Sequence, residues 1–169
     1  RDQTSAAVAR VEGYQADLDA ARLSLAAQTT KGWLNLIEAQ QQLAIAERTA
    51  EAYRYNQRAL ESRFKLGLTE GIDLRRIHTQ VASTEADAVF RQRALDQATR
   101  QLEVVLGRYP AGVLDAAITL PSLPPTIPAG LPADLIQRRP DLVAAERQLA
   151  ATDRELRASK KNLLPQISL

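Results

Sequence analysis

The sequence has no cysteine and no methionine, its aromatic share is 4%, and none of its eight prolines comes before Pro110. The missing cysteines exclude disulfide staples and thiolate metal sites and leave the compartment undecided. With so few aromatics, the 45% hydrophobic share falls to alanine, leucine, valine and isoleucine. Such residues suit close helix packing better than a thick globular core. Basic and acidic side chains number 22 and 20 and are interspersed, which is a solvated surface and no nucleic-acid footprint. No run of about 18 apolar residues is present, and no charged-then-apolar leader precedes the first periodic segment. A chain that starts at Arg1 and holds no methionine is expected to be a piece of a longer protein.

Up to Tyr109 the chain is rich in Ala, Leu, Gln, Arg and Glu, the strong helix formers, and its only cluster of breakers is Gly67 to Gly71. Two helices meeting at that cluster are predicted. The first, from about Thr4 to Lys65, would be a rod of about 90 Å. Val11, Leu18 and Leu25 recur every seven residues and continue through Gly32, Ala39 and Ala46, with Leu36, Leu43 and Ala50 as a second series. Such heptads predict a supercoiled seam, and its drift toward alanine and glycine predicts closely approaching backbones. Gly13 and Gly32 each cost this helix about 1 kcal/mol against alanine, so close packing against another helix is expected there.

The second helix, Leu74 to Leu106, carries Leu74, Val81, Ala88, Leu95 and Leu102 at the same spacing, and Gly107 supplies its stop. At about 50 Å it is much the shorter, so the upper half of the first rod needs a different partner. Prolines and glycines then mark a connector, in which Ala116 to Leu120 is a candidate short strand. Pro132 opens a short helix to Arg138, and Pro140 a longer one to about Leu163 with Leu142, Leu149 and Leu156 spaced by seven. Gln166 to Leu169 alternate like the beginning of a strand. The class is all-α: a long antiparallel coiled-coil hairpin over residues 1–107 with its tip at 66–73, a mixed connector over 108–131, a short helix and a further helix over 132–164, and a strand start over 165–169.

Catalytic chemistry finds little support. His78, the single histidine, has no metal-ligand spacing around it and reads as a surface or packing residue. The carboxylates have basic neighbours at helical spacing, as Glu47 and Glu51 have Arg48 and Glu146 has Arg147, which is the pattern of solvated ion-pair faces. No phosphate loop, nucleophile elbow or two-histidine motif appears, and no metal or cofactor is called for. Trp33, Tyr14, Tyr53, Tyr55 and Phe64 are spread along the first rod and are expected to pack between helices.

The tip, Arg63 to Leu74, is the most informative stretch. Gly67 and Gly71 permit positive φ for the reversal, and Asp73 or Thr69 can cap the second helix. Turn formation does not account for Leu66, Leu68 and Ile72. Apolar residues at an exposed end mark a contact patch, and from the residues alone a docking surface and a plain turn both stay open.

Three stretches resemble a family, the last of them more weakly. Gly130 to Ala150, GLPADLIQRRPDLVAAERQLA, looks like the central signature of the TolC-type outer-membrane efflux channels, in the branch containing OprM and the NodT-like lipoproteins. Leu163 to Leu169 looks like the start of that family's membrane strand, and Gly67 to Asp73, GLTEGID, is similar to its periplasmic hairpin turn. The resemblance implies a homotrimer whose outer-membrane β-barrel, absent from this chain, continues into a periplasmic α-barrel of helices. It implies export of drugs, metals or other small molecules through a periplasmic tunnel, with no enzymatic step, in a Gram-negative bacterium. Periplasmic adaptor hairpins and an inner-membrane pump are the implied partners. At the tip, Leu66, Gly67, Leu68, Thr69, Gly71 and Ile72 are the implied docking residues, and Asp73 is either a gating salt link to a neighbouring hairpin or the helix cap. The adaptor's own hairpin and a coiled-coil scaffold without a transport role are the alternative classes.

Overall fold

The structure, a computed structural model, describes residues 2–114, 119–122 and 132–162. Four helices occur in chain order: α1 (Asp2–Lys65), α2 (Gly71–Val105), α3 (Pro132–Arg138) and α4 (Pro140–Asn162). No strand occurs among the described residues, and the class is all-α. The candidate strand from Ala116 to Leu120 falls mostly outside the described residues, and the one from Gln166 to Leu169 wholly outside them. Two helices open on a proline, α3 on Pro132 and α4 on Pro140, where proline's fixed φ suits the first turn and its missing N–H would have had no intrahelical acceptor. By contact, the chain divides into two compact units, Arg1–Ala27 with Leu123–Leu169 and Gln28–Ser122.

In the second unit α1 and α2 pair antiparallel. Gly32 lies against Leu102, Arg54 Nε donates to Glu85 Oε1 at 2.7 Å, and Gln57 Nε2 lies 3.2 Å from His78 Nδ1, so numbers rise on one helix as they fall on the other. The seam is heptad on both sides. On α1 it runs through Gly32, Leu36, Ala39, Leu43, Ala46, Ala50 and Tyr53, and on α2 through Leu74, Ile77, Val81, Ala88, Leu95, Ala98, Leu102 and Val105, all buried or partly buried. Leu36 and Ile37 are the largest fully buried side chains, each worth about 1.5–3 kcal/mol by removal from water. A Cβ on Gly32 would meet Leu102 Cδ1 at 3.2 Å, the close approach that its helix-breaking residue implied.

In the first unit the covered phase differs from the expected one. Ala6, Ala9, Gly13 and Ala16 are buried on α1, and Ala151 and Ala158 on α4, with Ala144 and Arg147 partly buried ahead of them. Spacings of three and four make this a heptad seam of small residues. Its register is held by Arg10 with Glu155, by Arg147 Nη1 with Glu12 Oε2 at 3.4 Å, and by Arg154 Nη1 donating to the Ser5 carbonyl at 2.6 Å. Exposed pairs of this kind are worth only about 0.2–1 kcal/mol, so they choose alignment and the alanines supply the packing. The expected seam through Val11, Leu18 and Leu25 is instead exposed, and so are Leu142, Leu149 and Leu156 on α4. Both helices hold two apolar rows, and the row of smaller residues permits the closer approach. Tyr14, Tyr55 and Phe64 also depart from expectation, standing exposed on α1.

Candidate functional site

Two consecutive carbonyl groups of α1 shape the hairpin tip. The N–H of Leu68 donates to the Arg63 carbonyl at 3.0 Å and that of Gly67 to the Phe64 carbonyl at 2.9 Å, with Gly67 at φ +70°. This is the paired 6→1 and 5→2 bonding of a Schellman motif, in which a left-handed residue satisfies the last helical carbonyls. The end of α2 repeats it: Gly107 has φ +71°, Arg108 N–H donates to the Glu103 carbonyl at 2.8 Å, and Gly107 N–H to that of Val104 at 3.0 Å. Gly71 works differently from expectation. Its φ is not positive; it is the first residue of α2, and a Cβ there would meet Phe64 Cε2 at 3.7 Å.

The capping expectation is also corrected. The N-cap of α2 is Glu70, with no side-chain cap hydrogen bond, so neither Thr69 nor Asp73 caps the helix. Thr69 Oγ1 instead donates to Asp73 Oδ2 at 3.4 Å, and both are partly buried. As an acidic residue in the first turn, Asp73 complements the positive end of the helix dipole. It makes no ion pair among the described residues.

The apolar residues of the tip are uncovered. Leu66 is 73% exposed, Leu68 72% and Ile72 52%, with Phe64 exposed beside them. None of these apolar side chains takes part in the hydrogen bonds of the turn, so they are available to a partner at no cost to it. His78, about one and a half helical turns from the tip, bridges the two helices through Gln57 and through Glu61, whose Oε1 lies 3.6 Å from its Nε2. Among the described residues no group of three or more acidic or histidine side chains could hold a metal ion, and no helix is long and apolar enough to cross a membrane.

One residue escaped the sequence reading. Glu103 is 2% exposed, and its carboxylate accepts from Gly112 N–H at 2.7 Å and from Val113 N–H at 3.0 Å. The Gly112 bond above all holds this carboxyl below its ordinary range, helped by Val113 and Leu114 N–H and by the Arg100 charge, against the effect of burial. It pins the chain after α2 to the helix end, beside a groove of about 720 Å³ between Gly32, Leu102, Val105 and Pro110. A glutamate at a heptad-adjacent position looks like any solvated face residue, so nothing in the sequence marked it.

Comparisons with known proteins agree with this architecture. Residues 1–108 match the family model described as outer membrane efflux protein. The cation efflux system protein CusC of Escherichia coli O6:H1 is 31% identical over 89% of this chain and 33% of its own length. Nodulation protein T of Rhizobium leguminosarum bv. trifolii is 27% identical over 98% of this chain and 36% of its own. The solved structure of the outer-membrane channel OprN superposes with a TM-score of 0.87 at 28% identity, covering 97% of this chain and 37% of that one. The chain thus spans about a third of the length of the relatives it matches. A family model matching well over half its residues decides against the adaptor and scaffold classes: this chain belongs to the outer membrane efflux protein family.

Proposed function

We propose that this chain is part of the periplasmic tunnel wall of a trimeric outer-membrane efflux channel, and that the α1–α2 tip docks the hairpin of a periplasmic adaptor that links the channel to an inner-membrane pump. As a family member it belongs to the periplasm and outer membrane of a Gram-negative bacterium. Cargo would be drugs, metals or other small molecules, driven by the pump, with the helices acting as a wall and performing no chemistry. Within that reading residues 1–107 form the wall hairpin, 108–131 a connector, 132–164 the lead into a second repeat, and 165–169 the start of a membrane strand.

The observation that carries the docking claim is the exposure of Leu66, Leu68 and Ile72 on a reversal whose backbone is already held by the bonds of Gly67 and Leu68 N–H to the last carbonyls of α1. Gly67, Leu68 and Thr69 form the contact, Gly71 opens the second helix beside Phe64, and Asp73 offers its carboxylate to a basic residue of a neighbouring hairpin as a gate. The test is crosslinking of the tip, in the full-length parent channel, to its adaptor. Leu68→Asp is expected to abolish the crosslink while circular dichroism shows helicity unchanged. Crosslinking at the wild-type level in that variant would sink the docking claim.

A further inference from the structure

The segment that leaves α2 has little of its own to hold it. In residues 109–114 the side chains of Tyr109 and Val113 stand exposed, and within the segment Ala111 N–H donates to the Tyr109 carbonyl at 2.8 Å. Burial therefore does little to fix its position. Among the described residues, the hydrogen bonds that tie it to a helix all end on the Glu103 carboxylate. Gly112 N–H donates to Oε2 at 2.7 Å and Val113 N–H to Oε1 at 3.0 Å, one amide on each oxygen. Successive amides turned on one anion form a nest, and Gly112 supplies the left-handed residue it needs at φ +75°. Pro110, in the same segment, lines the groove beside Gly32, Leu102 and Val105. One wall of the groove thus hangs on one carboxylate.

The charges around Glu103 favour its ionised form. Arg100, on its own helix, lies against Gly112; Arg108 precedes the segment; Lys31 lines the groove from α1; and Tyr109 is the remaining titratable group beside them. No other carboxylate lines the groove. Protonation turns one of the two oxygens into a donor, so one of the two amides loses its acceptor.

We infer that residues 109–114 are a strap latched by Glu103: the charged carboxylate holds Pro110 at the groove, and loss of that charge frees the strap and opens the groove while α2 stays helical. The native carboxyl titrates below its ordinary value of 4.5, chiefly through the Gly112 bond. The latch is therefore closed above that pH and opens as pH falls through the lower native value.

Hydrogen exchange of the full chain tests this, read by mass spectrometry on peptides over the strap and over the middle of α2, from neutral pH down to about pH 3. Strap protection is expected to fall on acidification before that of α2. Glu103→Gln sets a donor against one amide and is expected to lower strap protection at least about tenfold at neutral pH, with α2 unchanged. Gly112→Ala strains the left-handed residue, leaves the carboxylate in place and is expected to lower it about tenfold as well. Because the chain has no cysteine, Val105→Cys places a single thiol in the groove. That thiol is expected to react with a maleimide at least about fivefold faster when Glu103→Gln is added. Wild-type protection in both variants overturns the latch. Loss of strap and α2 protection in one step overturns a strap that moves by itself, and an unchanged thiol rate overturns the opening of the groove.

Discussion

At the residue scale, the two glycines inside α1 separate cleanly. A Cβ on Gly13 would meet only Arg147 Cβ at 3.6 Å and the Ala144 carbonyl at 3.8 Å, ordinary contacts, whereas Gly32 is closed by Leu102. Gly13→Ala is therefore expected to raise stability by about 0.5–1 kcal/mol through backbone entropy, and Gly32→Ala to gain less than that or to lose stability, as urea denaturation would show. Both glycines were legible as departures from helix propensity, but only the coordinates distinguish the tight one. Glu103 makes a pH prediction. Its native carboxyl titrates below the ordinary value, chiefly through the Gly112 N–H, so its contribution is complete above about pH 4.5 and is lost as pH falls through the lower native value. Glu103→Gln should flatten the acid limb of the stability profile measured by thermal melts, and a variant with an unaltered limb would exclude the clamp as its source.

At the scale of elements, the reversal divides its glycines by function. Gly67→Ala puts a side chain on a left-handed residue and is expected to cost about 1–2 kcal/mol, while Gly71→Ala, with helical backbone and ordinary contact to Phe64, should stay within about 0.5 kcal/mol. Thermal melts of the two variants would check this. The small-residue seam of α1 and α4 supplies the complementary pair. Ala151 is fully buried, so Ala151→Leu overpacks it and should cost about 1–3 kcal/mol, whereas Leu149, 70% exposed, should tolerate alanine within about 0.5 kcal/mol. A sequence reading that trusts leucines as core would order these two changes the other way. The heptads through Leu74, Val81 and Leu102 coincide with the buried face because α2 buries its large row; those through Val11, Leu18 and Leu142 do not, because α1 before residue 28 and α4 bury their small one.

At the scale of the whole molecule, the uncovered rows set its behaviour. Val11, Leu18 and Leu25 on α1 and Leu149 and Leu156 on α4 leave a chain with apolar surface on two helices. The isolated chain is expected to self-associate as concentration rises, and Leu18→Gln with Leu149→Gln to shift sedimentation velocity profiles toward the monomer. An unchanged profile would mean that these rows do not drive association. The sequence by itself determined the helices, their ends at Gly67 and Gly107, the antiparallel hairpin and the stretch that forms its tip, because periodicity, helix propensity and left-handed glycines are local properties of the chain. Only the tertiary structure decided which heptad row each helix buries, that Glu70 occupies the N-cap without a side-chain bond, and that Glu103 holds Gly112 and Val113. The physical reason is that a seven-residue repeat defines a face without naming its occupant. With two apolar rows on one helix, the choice falls to whichever row lets a neighbouring backbone come closest, and that depends on residues far away in the sequence.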